Sequence, residues 1–291
     1  MTVENIVEIY RNCGFKFSKF QGNYYMHRGL IKYSFPTLMD IPINYLNSNI
    51  LKWKFPLTIF KTNVKVKNAY EYILETSDYR IEKFSSKTRN QIRKSLKDCE
   101  FKKPPLSDLL KYGLIINKQT LGRQGRDDKF LTSKSRWHKY IKSFYNNDEV
   151  IFLGAYSHNI LIAYIIVYEV NDKFTILHPF SDRNHSSSNP MNGLLFTLIN
   201  ELLNTRNYIK ISYGLESVNL LPGLNKFKSS MLFQKMSTTR IFLINPLLLY
   251  IIKIFVCVIV KIFKFKNVQN SHLRRLISIY QGHRIFYKLG R

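Results

Sequence analysis

Residues 149–170 read EVIFLGAYSHNILIAYIIVYEV, two apolar runs parted by a short polar turn. The runs are strand-length, rich in β-branched and aromatic residues, and the turn between them is tight, so the stretch predicts an antiparallel hairpin. FTILHPF (174–180) adds a third strand. A polar loop, SDRNHSSSNPMNG (181–193), leads into an amphipathic helix, LLFTLINELLN (194–204). YIKISYG (208–214) reads as a fourth strand, NKFKSSMLF (225–233) as a short helix and STTRIFLI (237–244) as a closing strand. Strands and helices in that order give a mixed α/β sheet flanked by helices, neither a solenoid nor a doubly wound nucleotide fold.

Upstream of the hairpin, residues 2–13 predict a short amphipathic helix on Val3, Ile6, Val7 and Tyr10. From Phe15 to about Lys67 the chain is aromatic and β-rich, with YYMHRGLIKYSF (24–35) and WKFPLTIFK (53–61) as strands, and residues 68–76 read as a connecting segment. SSKTRNQIRKSLKD (85–98) predicts a basic helix capped by Ser85 or Ser86, with Ile92 and Leu96 inward and Arg89 and Arg93, four apart, presented to an anion. A helix from Ser107 to about Leu121, apolar at Leu110, Leu114 and Ile115, and another over 135–146 complete this part.

The last stretch differs in kind. NPLLLYIIKIFVCVIVKIFKFK (245–266) is almost wholly apolar, but its longest uncharged run, 241–252, is 12 residues, short of the roughly 20 that span a bilayer. Lys253, Cys257, Lys261 and Lys264 share one helical face, which suits a helix lying in an anionic membrane interface; a core or oligomer contact and a spanning helix are the alternatives. The formal charge is +26, and after Glu216 the final 75 residues hold no Asp or Glu. Such a surface attracts polyanions or anionic lipid. Cys13, Cys99 and Cys257 are scattered, and the N-terminus resembles no secretory signal, so a reducing, cytoplasmic setting at the inner membrane face is expected.

Phosphate-loop, nucleophile-elbow and zinc-helix motifs are missing, no Rossmann glycine triplet appears, and the histidines show no metal spacing. Another set of motifs stands in order: SSKTRNQIRKSLKD, QTLGRQGR (119–126), HPFSDRN (178–184), NPMNGLLFTLINELL (189–203), YIKISYGLES (208–217) and GLNKFKSSMLF (223–233). Together, over about residues 50–240, they resemble the FemA/FemB-like branch of the GNAT acyltransferase superfamily.

That resemblance implies a GNAT-type sheet in which the acyl donor enters where two neighbouring parallel strands splay. With the apolar stretch at 245–266, it divides the chain into a partial N-terminal GNAT-like region (1–84), an acyltransferase core (85–244) and a membrane-associating helix with a basic tail (245–291). It makes Lys228 the leading catalytic candidate, an ammonium stabilising the oxyanion, with Phe227 packed beneath it and Arg123 on the substrate side. A surface lysine is the plainer alternative. The loop 181–193 is a sensible donor site, because free N–H groups at the following helix start bind pyrophosphate; Arg183, Asn192 and Gly193 are named for it. The Q/RxxGxG/A spacing of coenzyme-A-binding GNAT proteins is absent. Tyr213 is placed to return a proton to the leaving group, with a core tyrosine as natural a reading; His178 and Glu216 are rival bases, although a hydrogen-bonded core histidine is the better reading of His178.

By the same resemblance the expected donor is acetyl-CoA or another acyl-CoA, with no metal, and the acceptor an amine or hydroxyl of a sugar or cell-envelope precursor. Branch members that use aminoacyl-tRNA supply the alternative, the one case in which nucleic acid is a partner. A non-catalytic basic protein binding nucleic acid or anionic lipid is the reading from another class.

Overall fold

The computed structural model describes residues 1–42, 55–64, 67–126, 128–216, 221–263, 279–280 and 283–284. In chain order the first elements are α1 (Val3–Asn12), β1 (Phe17–Phe20), β2 (Asn23–Arg28), β3 (Ile31–Phe35), β4 (Leu57–Thr62), β5 (Ala69–Thr76), α2 (Ser86–Asp98) and β6 (Glu100–Lys102). There follow α3 (Leu114–Arg123), α4 (Lys134–Tyr145), β7 (Val150–Ser157), β8 (Ile160–Val170), β9 (Lys173–Ser181), α5 (Pro190–Thr205), β10 (Ile209–Leu215), α6 (Pro222–Ser230), β11 (Gln234–Ile244) and α7 (Pro246–Phe263). They form two compact units interleaved along the chain: unit 1 takes residues 1–14, 72–214 and 222–235, and unit 2 takes 15–71, 215–221 and 236–291.

In unit 1 the strand order is β5-β10-β9-β8-β7-β6. The hairpin read from 149–170 is its centre, and β9 extends it into a meander. Both turns hold two consecutive residues at positive φ, His158 and Asn159, then Asn171 and Asp172. That geometry matches the twist of the flanking strands, and Asn and Asp tolerate it better than most residues. α5 starts at Pro190, whose missing N–H costs nothing in a first turn. It buries Leu194, Leu195, Leu198 and Ile199 in the unit 1 core, each contributing about 1.5–3 kcal/mol by removal from water.

α2 is capped by Ser85, which accepts from the Thr88 N–H. Its inward residues are Thr88, Ile92 and Ser95, and Leu96, expected inward, is 42% exposed. The close neighbour explains the choice: a Cβ at Gly193 of α5 would lie 2.4 Å from Ser95 Oγ and 2.5 Å from Phe101. A small side chain must therefore face α5, and the leucine is left outside.

Two further expectations need correcting. Residues 69–76 are strand β5 rather than a connecting segment; Tyr72 and Leu74 are buried on one face and Glu71 on the other, a pattern masked in the sequence by the two acidic residues Glu71 and Glu75. The helix expected from Ser107 has a π-helical turn at Leu109–Gly113 before α3. Its extra residue rotates the buried face onto Leu109, Ile116, Asn117, Thr120 and Leu121, leaving Ile115 exposed.

In unit 2 the strand order is β1-β2-β3-β4-β11. β3 runs parallel to β4, and β4 antiparallel to β11. One sheet face packs Tyr25, Ile41, Phe55, Phe60, Ile241 and Leu243. On the other, Ile59, Phe242 and Ile244 receive Leu248, Leu249 and Ile252 of α7. The opposite side of α7 leaves Leu247 71% and Tyr250 69% exposed, with Ile251 and Ile254 half exposed. Among the described residues no helix is long and apolar enough to cross a membrane. The basic tail and the first residues of WKFPLTIFK lie mostly outside the described residues.

Candidate active site

β9 and β10 are parallel neighbours, yet only Phe174↔Ile211 and Thr175↔Ser212 pair. Beyond them β9 continues to Ser181 paired with β8, and no further β9–β10 pair follows. β9 gains one extra residue against β8 in that span, since Ile166 faces Leu177 and Tyr164 faces Phe180. His178 occupies the bulge with φ 50°. A bulge bends a strand and frees local backbone groups from the ladder. The result is a wedge between two parallel strands, with the loop leading to α5 at its mouth.

Beside the end of β10 lies an aromatic cage with a cation. Lys228 is 3% exposed, and its Nζ lies 4.5 Å from the Tyr72 ring centre and 4.9 Å from that of Tyr213. Phe227 meets the Tyr213 ring edge-on at 6.4 Å and Phe233 at 5.4 Å. Faces of aromatic rings attract a cation electrostatically, most strongly where water is removed. Burial pushes the Tyr213 hydroxyl well above the ordinary tyrosine range, so at neutral pH it carries its proton. Lys228 and Tyr213 are brought together, and Phe227, expected beneath Lys228, instead packs edge-on against Tyr213 while Tyr72 and Tyr213 lie under the ammonium. Tyr72, in the segment read as a connector, was missed; the alternation of Tyr70, Tyr72 and Leu74 was the available signal.

The start of α5 closes onto the same region. Asn192 is buried and its side-chain amide approaches Met231 Sδ at 3.5 Å, just past the end of α6. Gly193 is the close-packing point against α2, so its lack of a side chain answers to packing on Ser95 and Phe101. Arg183 is exposed, and its backbone N–H donates to Gln119 Oε1 of α3 at 3.2 Å. Thr120 Oγ1 donates to the Ser181 carbonyl at 3.1 Å. These two bonds tie the QTLGRQGR segment to the loop after β9, leaving Arg123 exposed at the end of α3. Gln119 and Thr120 are contributors that spacing alone did not single out.

Four candidates remain. His178 Nε2 is 2.7 Å from the hydroxyl of Tyr140, a buried α4 residue whose pKa burial raises far above its usual range. Arg89 donates to the Phe84 carbonyl at 2.9 Å and to Ser86 Oγ at 3.2 Å, which fixes it on the entry to α2, while Arg93 is exposed. Glu216 belongs to unit 2; its N–H donates to the Tyr70 carbonyl and its own carbonyl accepts from Arg240.

No family model matches the chain, and no curated protein matches it in sequence. Solved structures do. The structure of FemX superposes with TM-score 0.59 at 10% identity, covering 84% of this chain and 92% of that one. The C-terminal domain of a candidate lysylphosphatidylglycerol synthetase from Agrobacterium fabrum gives TM-score 0.57 at 9% identity over 88% and 92% of the two chains. L-PGS from Bacillus licheniformis gives 0.53 at 12% identity over 97% and 93%. At such identities the likeness is one of fold, and the fold of this chain is the GNAT-like mixed α/β architecture that its motif order resembles.

Proposed function

We propose that the chain is an acyltransferase that moves an acyl group from acyl-CoA to an amine or hydroxyl of a sugar or cell-envelope precursor. The observation that carries this reading is the splay of β9 from β10 after two residue pairs, with the α5 start and the Lys228–Tyr213 cluster beside it. The donor thioester enters the wedge, its polar atoms toward the positive end of the α5 dipole. The acceptor nitrogen or oxygen attacks the thioester carbonyl, the carbonyl oxygen takes the negative charge, and the ammonium of Lys228 stabilises it. The C–S bond then breaks, Tyr213 gives its proton to the departing thiolate, and the proton lost by the acceptor restores the tyrosine. Arg123 and Arg183 stand exposed on the rim, suited to the anionic groups of donor or acceptor.

A second reading replaces the thioester with the ester of an aminoacyl-tRNA. The likeness to FemX and to lysylphosphatidylglycerol synthetases favours it, as does the charge of +26. Titrating acetyl-CoA and aminoacyl-tRNA separately, with thiol release measured on mixed amino-sugar acceptors, tests both. Saturable acetyl-CoA binding with thiol release that Lys228→Met abolishes is the expected result. Binding of aminoacyl-tRNA alone moves the donor to the second reading, and salt-dependent binding of any polyanion without turnover removes catalysis altogether.

The same reading sets the protein against the inner membrane face. Support comes from the outward side of α7, where Leu247, Tyr250, Ile251 and Ile254 are exposed, in a terminal stretch free of acidic residues.

A further inference from the structure

Unit 2 contains a cavity of about 260 Å³ on the sheet face that also receives α7. Register builds its floor. Tyr33 of β3, Ile59 of β4 and Phe242 of β11 are cross-strand neighbours and make one apolar row. Two residues along, Lys61 of β4 stands directly opposite Arg240 of β11. Side chains of i and i+2 share a face, so the charged row lies roughly 7 Å from the apolar one. Ile279 lines the cavity as well.

Like charges directly opposite one another weaken an antiparallel pair. Lys61 is relieved by Glu71 at 2.9 Å and Asp40 at 3.1 Å. Neither Glu71 nor Asp40 lines the cavity, and both cations do. Among the described residues, the Arg240 guanidinium donates to the Glu216 carbonyl at 3.2 Å. Burial pulls its pKa below the ordinary guanidinium value, opposed by Tyr33 and then Glu216.

We propose that this cavity binds a compact amphiphilic anion, its carboxylate or phosphate on Arg240 and its apolar body along Tyr33, Ile59 and Phe242. A guanidinium meets either oxyanion with two parallel hydrogen bonds. The volume falls below the about 300–1,000 Å³ of sites for drug-sized ligands, which selects a short-chain molecule over a whole nucleotide or coenzyme. The inference stands apart from the acyl-transfer reading, whose residues lie in unit 1.

Calorimetric titration of the full chain at low salt, with octanoate, octyl phosphate and the neutral octanol as probes, tests it. One anion at least is expected to bind with one-to-one saturation, about tenfold or more tighter than octanol, a gap of about 1.4 kcal/mol. Octanoate against octyl phosphate tells which oxyanion the site prefers. Arg240→Gln is expected to erase the advantage over octanol, and Ile279→Trp, which fills the cavity from its lining, to abolish binding of all three. Thermal melts confirm that each variant is folded, and if Arg240→Gln is not, Ile279→Trp decides. Octanol matching the anions, binding of neither anion, or anion binding unchanged in a folded variant overturns the proposal.

Discussion

Two buried lysines show two ways of keeping an ammonium out of water. Lys61 in unit 2 is clasped by Glu71 and Asp40 and by the Leu38 carbonyl at 3.3 Å. Lys228 in unit 1 lies over the rings of Tyr72 and Tyr213. The carboxylate clasp sets an ammonium against opposite charges; the ring faces set one against the negative face of an aromatic π-system. A lysine of the second kind is suited to meet a developing oxyanion, and one of the first kind is suited to hold strands in register. Position in the core is the same for both, so the neighbours decide the role.

Breaking the clasp is the larger perturbation. Lys61→Met leaves Glu71 buried without its cation, and unfolding titrations should show a loss of about 3–5 kcal/mol. A Lys61→Met, Glu71→Gln double variant should recover much of it, and no recovery would mean that strand packing, not the pair, sets the cost.

Lys228→Met should cut acyl transfer by about 10²–10³-fold, on the scale of an oxyanion donor removed, while the midpoint of urea unfolding moves little. Equal loss of stability at Lys228 and Lys61 would erase the distinction between them.

Gly193→Ala sharpens the picture of unit 1 at a point without charge. The added methyl has no room against Ser95 and Phe101, and a cost of about 1–3 kcal/mol is expected in thermal or urea melts. Gly193→Ala combined with Ser95→Gly should restore part of it.

At the exposed extreme, Glu75 meets Lys210 at 2.6 Å with both side chains about 40% exposed. The hydrogen bond from Lys210, against a smaller burial effect, holds the Glu75 carboxyl below its usual pKa. Because the folded pKa is depressed, its stabilisation is present above the ordinary carboxylate range and disappears as pH falls through the folded value. Solvent screening limits it to less than about 1 kcal/mol, so Glu75→Gln should matter little at neutral pH and not at all in acid.

Much of unit 1 was legible in the sequence because its signals are local. The hairpin, the Ser85 cap and the Asn-Pro start of α5 each depend on residues a few positions apart. The inward face of α2 was not legible: Leu96 is the stronger hydrophobe, and only the approach of Gly193, nearly a hundred residues on, favours Ser95. β5 was hidden for a related reason, since Glu71 finds its partner Lys61 on another strand and reads as polar without it. The cluster around Lys228 was half visible, with Phe227 and Tyr213 in motifs and Tyr72 outside them. The pairing of Lys61 with Arg240 arises from register alone, across 179 positions, and has no sequence signature.

The central claim is that the β9–β10 wedge holds the acyl donor. Amide hydrogen exchange with and without acetyl-CoA tests it most directly. The account predicts slowed exchange over 176–193 and 209–215, with the unit 2 strand 57–62 unchanged. Unaltered exchange in the wedge at saturating acetyl-CoA, or protection confined to unit 2, would contradict it.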